Sequence, residues 1–289
     1  MPEVERVPGD LETWKVGDTE FAKHFGQGSR SDRFLIAKTQ SIIDLYAELC
    51  PRFREGRIFE LGISAGGSTA LISLLASPVK LVACDISPTP VPALTEFIDK
   101  KGLGASVRPY YGVDQGDRGR LAQILEDEFG DSPLDLVVDD ASHTWVRTVA
   151  SFEILFPRLR PGGVFVIEDW PSQYLMAETI ASVQRDPSSS RYATFRARYE
   201  QLLRNGSQPH PPLAQLGVEL MLAAVTSPDT IAEVSVNRHW LEVTRGPAQL
   251  DVEAFRIADL YSDHFGWLEQ SSGEWWLRRV WDRFERSTS

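Results

Sequence analysis

Short apolar runs alternate with segments of helical periodicity along residues 57–167 of the chain. Five runs have the length and composition of buried strands, and the segments between them repeat apolar positions every three or four residues. The predicted strands are 57–61, 80–85, 107–111, 134–139 and 163–167, and the predicted helices are 68–75, 90–100, 118–129 and 146–159. Strands joined by helices of this length form right-handed crossovers, so the pattern predicts an α/β fold with a doubly wound, mostly parallel sheet.

The flanking segments predict additions to this sheet. A helix is predicted from Asp32 to Leu49, and the polar segment before it suggests a lid over a ligand as one interpretation. Two apolar runs, 231–236 and 240–244, predict a closing antiparallel hairpin, and a further helix is predicted over 252–284. The resulting division is an N-terminal segment at 1–32, a central domain at 33–247 with a helical insertion at 170–228, and a helical tail at 248–289.

Composition narrows the class of partner. The chain has 289 residues, of which 42% are hydrophobic and 25% charged, as expected for a globular protein, and its net charge is -11. This charge argues against nucleic acid or an anionic membrane as the partner and favours a small ligand. No apolar run approaches the roughly 20 residues that cross a bilayer, and the start lacks a signal-peptide pattern, so a cytoplasmic location is expected. Cys50 and Cys84 are too few for a disulfide framework.

Acidic residues end two of the predicted strands. The run 136–138 is followed by Asp139, Asp140 and then His143, and the run 164–167 is followed by Glu168 and Asp169. Ligands of open α/β sheets bind outside the carboxyl ends of the strands, where these acids would meet. Converging carboxylates repel unless a cation or a proton joins them, and hard oxygen ligands suit Mg²⁺ or a similar ion.

A glycine-rich loop separates the first strand from its helix. It contains Glu60, Gly62, Gly66 and Ser68, and its spacing differs from the G-x-G-x-x-G of dinucleotide-binding proteins. Glu60 would repel a pyrophosphate, which favours a ligand that carries positive charge.

Polar residues also follow the second and third strands. Asp85 ends the second strand, where a carboxylate can accept hydrogen bonds from ribose hydroxyls. Gln115 and Asp117 follow the third strand, at a corner from which polar side chains can reach an adenine edge.

Together these motifs resemble the class I S-adenosylmethionine-dependent methyltransferases, which have a Rossmann-like fold. The resemblance is narrower to the metal-dependent O-methyltransferases of antibiotic sugars, typified by macrocin and mycinamicin O-methyltransferases, and to cephalosporin hydroxylase-like proteins. It covers about residues 57–170 and rests on the loop 60–69, on 114–117, 139–143 and 155–163, and on Ile167 to Asp169. Ala141 stands where a glycine is expected, which should not alter the ligands.

The resemblance implies two bound groups and a role for each site residue. It places Glu60, Gly62, Gly66, Ser68, Asp85, Gln115, Asp117 and Asp139 on the side of S-adenosylmethionine. It makes Asp140, Glu168 and Asp169 the ligands of Mg²⁺ or a similar ion, with Asp140 also catalytic and His143 as the base that takes a proton from the acceptor hydroxyl.

The implied activity is methyl transfer to a hydroxyl of a sugar or polyol on a natural product, in antibiotic biosynthesis, by a homo-oligomer. The acceptor pocket is expected in the insertion at 170–228. Two other readings stay open: a metal-dependent catechol or phenolic O-methyltransferase, and a protein that binds the cofactor without turnover. A nicotinamide-dependent oxidoreductase fits less well because of the glycine spacing.

Overall fold

A seven-stranded sheet forms the centre of the protein. The computed structural model describes residues 3–7, 12–23, 28–184 and 211–264, together with 188, 193, 194, 197, 266 and 268. The strands of this sheet are β5 (Arg57–Leu61), β6 (Lys80–Asp85), β7 (Val107–Tyr111), β8 (Leu134–Asp139), β9 (Leu159–Glu168), β10 (Ile231–Val236) and β11 (Trp240–Arg245). Their order is β10-β11-β9-β8-β5-β6-β7, and β5 to β9 run parallel. The predicted doubly wound sheet is confirmed.

Helices cover both faces of this sheet. On one face lie α1 (Gln40–Leu49), α2 (Gly67–Ala76) and α3 (Pro92–Lys100), and on the other lie α4 (Arg118–Phe129), α5 (Trp145–Leu155) and α7 (Leu213–Thr226), against which α6 (Ser172–Gln184) packs. Successive strand residues point to opposite faces, so Val138 and Val166 enter the first core and Val137 and Phe165 enter the second. The fully apolar strands of the sequence are therefore strands buried on both faces.

The closing hairpin is also confirmed. β11 pairs antiparallel with β9 and with β10, and Trp240 lies opposite Glu168 at the carboxyl end of β9. The chain winds in opposite directions from β5, toward β6 on one side and toward β8 on the other. The crevice at the carboxyl ends of β5 and β8 is thus the switch point where this class of sheet binds ligands.

The helix predicted from Asp32 is wrong in its first turns. Residues Arg33–Leu35 form the strand β4, and α1 begins only at Gln40. Phe34 is buried while its two neighbours are half-buried, and Ile36 N donates to the carbonyl oxygen of Ala22 at 3.0 Å. The sequence did not predict this strand because three residues are too few to show the alternation of apolar and polar positions that is typical of a strand.

A small second sheet precedes the central domain. It orders β1 (Val4–Arg6), β2 (Thr13–Val16), β3 (Thr19–Ala22) and β4, a structure that the polar composition of residues 1–32 did not predict. Trp14, Phe21 and Phe34 are fully buried and belong to the core shared with α1 and α2. Closure of this segment over a ligand stays a prediction.

The tail starts without the predicted helix. Within the described part of 252–264 there is a 3-10 turn at Ile257–Asp259, and Phe255 and Ile257 are buried against the second core. Arg256 between them is extended, so the chain is not helical at this point. Trp276, Val280 and Phe284, on which the predicted helix rests, lie outside the described residues. Most of residues 265–284 lie outside the described residues.

Among the described residues, no helix is both long enough and apolar enough to cross a membrane.

Candidate active site

A cavity of about 450 Å³ opens at the carboxyl ends of β5, β6 and β8. Its size falls in the range of small-molecule sites. The wall consists of residues at the ends of β5 and β6, in the loops after β5, β6, β7 and β8, and in α5: Leu61, Gly62, Ser64, Cys84, Asp85, Ile86, Val113, Asp114, Gln115, Asp140, Ala141, Ser142 and Arg147. Four of the residues singled out in the sequence therefore meet around one cavity, namely Gly62, Asp85, Gln115 and Asp140.

The glycine loop forms the floor between this cavity and a smaller one. Gly62 and Gly66 have positive φ angles of 101° and 84°, which a glycine adopts without strain. The second cavity, of about 90 Å³, lies on the α2 side of the loop and is lined by Ser68 and Gly67 among other residues. Gly62, Ser64 and Asp140 line both cavities, so the two spaces adjoin at these residues.

Asp85 is held in place by the backbone around it. Its carboxylate accepts from Ile63 N at 2.9 Å, Ser64 N at 2.7 Å and Ser87 N at 2.8 Å. These bonds tie the end of β6 to the glycine loop and fix an acceptor on the cavity wall. Such an acceptor suits the hydroxyls of a ribose.

Glu60 lies beneath the loop and lines neither cavity. It is fully buried in β5, and its carboxylate accepts from Thr69 Oγ1 at 2.6 Å. Burial raises the pKa of Glu60 to about 7, although the hydroxyls of Ser68 and Thr69 oppose the shift. Gly66 also stays outside the two cavity walls, so contact of either residue with a ligand stays a prediction.

Gln115 on the cavity wall forms a buried hydrogen-bond network with Asp139 behind it. The Gln115 amide donates to Asp139 and, at 2.9 Å, to Ser151 Oγ, and its oxygen accepts from Ser142 N at 3.2 Å. Burial raises the pKa of Asp139 to about 7. The network holds the loop 140–142 in place, which is a supporting role that the sequence did not reveal.

Asp117 occupies the cap of a helix. It precedes α4, and its carboxylate accepts from Arg120 N at 3.0 Å. It is absent from the cavity wall, whereas Asp114 lies on that wall and pairs with Arg147 at 3.1 Å. The predicted contact of Asp117 with an adenine is untested.

Three predicted site residues converge beside the cavity. Asp140, His143 and Asp169 each offer a ligand atom, and these atoms lie within 4.8 Å of one another. His143 Nε2 is 3.8 Å from Asp140 Oδ1. Asp169 N donates to the carbonyl oxygen of His239 at 2.9 Å, so the hairpin helps to set the end of β9. Two carboxylates and an imidazole at this separation form a donor set that a divalent cation can join.

Glu168 has other partners than this cluster. It is 2% exposed and accepts from Lys38 Nζ at 2.7 and 2.9 Å and from the Tyr46 hydroxyl. Burial raises the pKa of Glu168, and Lys38 opposes that shift. Its predicted role as a metal ligand is therefore untested, and its described contacts are with a lysine and a tyrosine.

Lys38 is the residue that sequence reasoning missed. Its ammonium also donates to Asp140 Oδ2 at 2.8 Å, and the residue is 4% exposed. Burial alone would lower the pKa of Lys38, but Glu168 and Asp140 outweigh it and raise the pKa. The only signal in the sequence is a lone lysine that follows the apolar run 34–37.

Comparisons with known proteins match the part of the chain that contains most of this site. Residues 59–170 match a family model for a methyltransferase domain. The 8-demethyl-8-alpha-L-rhamnosyl tetracenomycin-C 2'-O-methyltransferase of Streptomyces olivaceus is 46% identical over 62 residues, which are 22% of this chain and 16% of the relative. The L-olivosyl-oleandolide 3-O-methyltransferase of Streptomyces antibioticus is 40% identical over 95 residues, 33% of this chain and 24% of the relative.

The matched segments are a small part both of this chain and of the relatives. They span 24% or less of the length of these two relatives. Among solved structures, the MycE methyltransferase of the mycinamycin pathway, in complex with Mg, SAH and mycinamycin VI, aligns with a TM-score of 0.45 and 22% identity over 72% of this chain and 49% of that chain.

The five parallel strands, the glycine loop and the family match fall on nearly the same stretch of the chain. Residues 59–170 therefore have the sequence and the strand arrangement of a methyltransferase domain.

Proposed function

We propose that the protein is a metal-dependent O-methyltransferase that moves a methyl group from S-adenosylmethionine to a hydroxyl of a sugar or polyol on a glycosylated natural product. The observation that carries this proposal is the position of Asp140. It lines the large cavity and at the same time belongs to the cluster with His143 and Asp169. A cofactor in the cavity and a cation at the cluster would thus be neighbours.

The cavity fits the cofactor in size and in the placement of its polar groups. Asp85 offers a fixed carboxylate for the ribose hydroxyls. The smaller cavity, with Ser68 and the start of α2, can take the amino acid part of the cofactor. The positive sulfonium would then lie near Asp140, which lines both cavities, and a nearby carboxylate favours a positive charge.

The cluster fits a divalent cation, with Asp140 and Asp169 as its ligands. When bound, the cation makes an alcohol hydroxyl easier to deprotonate, and S-adenosylmethionine supplies the methyl group. Both carboxylates sit at the ends of neighbouring parallel strands, whose rigid backbone fixes their separation. Mg²⁺ is the expected ion because it prefers oxygen ligands and keeps positions open for a substrate.

His143 is placed to accept the proton of the acceptor hydroxyl. Its Nε2 lies 3.8 Å from Asp140 Oδ1, and a carboxylate at that distance stabilises the imidazolium that forms. Its carbonyl oxygen accepts from the Gln173 side chain at the start of α6, which holds the loop. The chain then contributes mainly orientation, which aligns the hydroxyl with the methyl group for a single in-line displacement.

The acceptor class is inferred from the names of the relatives and from the aromatic residues that follow Asp169 in the chain. The relatives named above are methyltransferases of rhamnosyl and olivosyl groups on natural products. Trp170 and Tyr174 follow Asp169, and Tyr174 is 61% exposed, so aromatic faces stand where a sugar ring could pack. A homo-oligomer and a cytoplasmic location stay expectations from the sequence.

Calorimetry and a transfer screen test this function. We expect the full chain to bind S-adenosylmethionine and not NAD, and to transfer label from the methyl group to glycosides in the presence of Mg²⁺. A screen that includes catechols distinguishes the sugar acceptor from the phenolic alternative. Binding of NAD alone, or cofactor binding without transfer to any hydroxyl, would refute the proposal.

A further inference from the structure

The outward face of α7 carries apolar side chains and no charge. Val218, Met221 and Val225 are 37%, 43% and 80% exposed, and their spacing of three and four residues places them on one face of the helix, as an apolar stripe. The single charged residue of α7, Glu219, is buried. A helix that faces water carries polar or charged residues on that side, whereas a helix that is apolar all round is normally covered. The apolar stripe is therefore expected to have a partner.

More exposed apolar residues lie on the helix that packs against α7. Tyr174 and Leu175 of α6 are both exposed. Of the nine large apolar side chains that are exposed within the described residues, five lie on these two helices. Exposed apolar residues that are scattered singly are common on protein surfaces, but a cluster of them marks a contact surface.

The described part of the chain passes beside this stripe before it ends. The carbonyl oxygen of Leu260 accepts from the hydroxyls of Thr226, at the end of α7, and of Ser227, the latter at 2.9 Å. The next residue, Tyr261, donates its hydroxyl to the carboxylate of Glu219 in the middle of the helix. The chain is thus fastened along α7 immediately before the terminal segment, residues 269–289, begins.

The terminal segment has the pattern and the length to cover the stripe. Trp276, Val280 and Phe284 repeat every four residues, which predicts one apolar face of a helix over about 12 Å. The stripe itself extends over about 10 Å of α7. The seven residues that precede Trp276 in the segment reach up to about 23 Å when extended, which is enough to span the whole helix.

We propose that the terminal segment docks on the apolar stripe of α7, with Trp276, Val280 and Phe284 against it. The occupant is the same chain's own segment because the contacts of Leu260 deliver it to the carboxyl end of α7, where Val225 is the most exposed residue of the stripe. Both apolar faces leave water when they meet, and this burial favours the contact. The inference does not depend on the proposed activity.

Replacement of Val225 by aspartate tests whether the stripe is covered. A charge is tolerated at a surface that faces water, but it opposes the docking of an apolar face on it. Trypsin cleaves after arginine, so cleavage in the terminal segment reports its release. We expect cleavage there to be at least about tenfold faster in Val225→Asp than in the wild type. The sites are Arg278, Arg279, Arg283 and Arg286.

Val79→Asp is the matched control for this variant. Val79 is also an exposed valine, but it precedes β6, and four strands separate β6 from β10, against which α7 packs. Cleavage of the terminal segment in Val79→Asp should proceed at the rate of the wild type.

Disulfide cross-linking identifies the occupant. Met221→Cys is combined in turn with Trp276→Cys, Val280→Cys and Phe284→Cys, and a disulfide forms only where the two Cα atoms come within about 7 Å. The native Cys50 and Cys84 are buried and stay reduced. At least one pair should form a disulfide within a single chain on mild oxidation and lose both of its introduced thiols. Val79→Cys with Val280→Cys should form none.

Each other outcome would overturn the inference. Disulfides that join two chains would assign the stripe to a second copy of the protein. Faster cleavage by trypsin within residues 185–210 in place of the terminal segment would assign the stripe to that insertion. Equal cleavage of the terminal segment in Val225→Asp and the wild type, or no disulfide in any of the three pairs, would show that the segment does not dock on α7.

Discussion

Gly62 and Asp140 touch through their backbones: a Cβ placed on Gly62 would lie 2.2 Å from the carbonyl oxygen of Asp140. The loop after β5 and the loop after β8 can approach this closely because residue 62 has no side chain and a φ of 101°. The contact brings the glycine loop against the backbone of Asp140, whose carboxylate belongs to the cluster with His143 and Asp169. The proposed active site depends on this approach.

Replacement of Gly62 by alanine should therefore separate the two loops. Strain at the positive φ alone costs about 1–3 kcal/mol, and the clash with backbone adds to it. We expect a lower free energy of unfolding in urea and loss of S-adenosylmethionine binding by calorimetry. Gly104→Ala is the control, since a Cβ there meets nothing within 4 Å. Wild-type cofactor affinity in Gly62→Ala would show that the approach is not needed.

Asp85→Asn should weaken the binding of S-adenosylmethionine and leave the binding of Mg²⁺ unchanged. The carboxylate becomes a neutral amide, so hydrogen bonds from the ribose hydroxyls lose a charged acceptor, an effect of about 1.5–3 kcal/mol or roughly tenfold to a hundredfold in Kd. Calorimetry with S-adenosylmethionine and, in a separate titration, with Mg²⁺ measures the two dissociation constants. Equal weakening of the two ligands would point to a general loss of structure, and no change would remove Asp85 from the cofactor site.

Glu60 should make the stability of the ligand-free protein depend on pH. Its pKa is raised from 4.5 to about 7 by burial, so the folded protein keeps a proton that the unfolded chain releases between these values. The stability from this proton is present below pH 4.5 and is lost as the pH rises to 7. Glu60→Gln has no proton to lose, and its advantage over the wild type should grow by up to about 3 kcal/mol across this window.

Urea unfolding at a series of pH values measures that difference. Glu96→Gln serves as the control, because the glutamate is exposed and pairs with Lys100. A constant difference between Glu60→Gln and the wild type over this window would mean that Glu60 is not held protonated by burial.

His143→Ala should separate proton transfer from binding. If His143 is the base, turnover should fall by about a hundredfold to ten-thousandfold while the affinities for S-adenosylmethionine and Mg²⁺ stay close to those of the wild type. His264→Ala, at an exposed histidine, controls for the substitution itself. A large drop in Mg²⁺ affinity would instead make His143 a ligand of the cluster, and wild-type turnover would exclude both roles.

The central sheet was predictable because its strands and helices are long enough to show their apolar patterns in the sequence. Each strand from β5 to β9 carries three or more apolar residues, and the helices between them have the length of a crossover. The acids that end β8 and β9 were visible for the same reason, since parallel strands bring their carboxyl ends to one edge. Asp85, Asp140 and Asp169 thus lie where the sequence indicated.

The N-terminal sheet and Lys38 were not predictable, for two physical reasons. Strands of three or four residues are too short to show alternation, so β1 to β4 escaped notice. Lys38 meets Glu168 across 130 positions of sequence, and no local pattern encodes a contact at that separation. The same limit explains why the hydrogen bond from the Gln115 amide to Asp139 was not predicted, although Gln115 itself was named as a site residue.

The dependence of methyl transfer on a divalent cation at Asp140 tests the account most directly. The measurement is transfer of methyl label from S-adenosylmethionine to glycosides by three samples: wild-type protein with Mg²⁺, wild-type protein depleted with EDTA, and Asp140→Ala with Mg²⁺. We predict transfer in the first sample, its loss in the second with recovery when Mg²⁺ returns, and no transfer in the third. Full activity of the depleted protein, or of Asp140→Ala, would contradict the account.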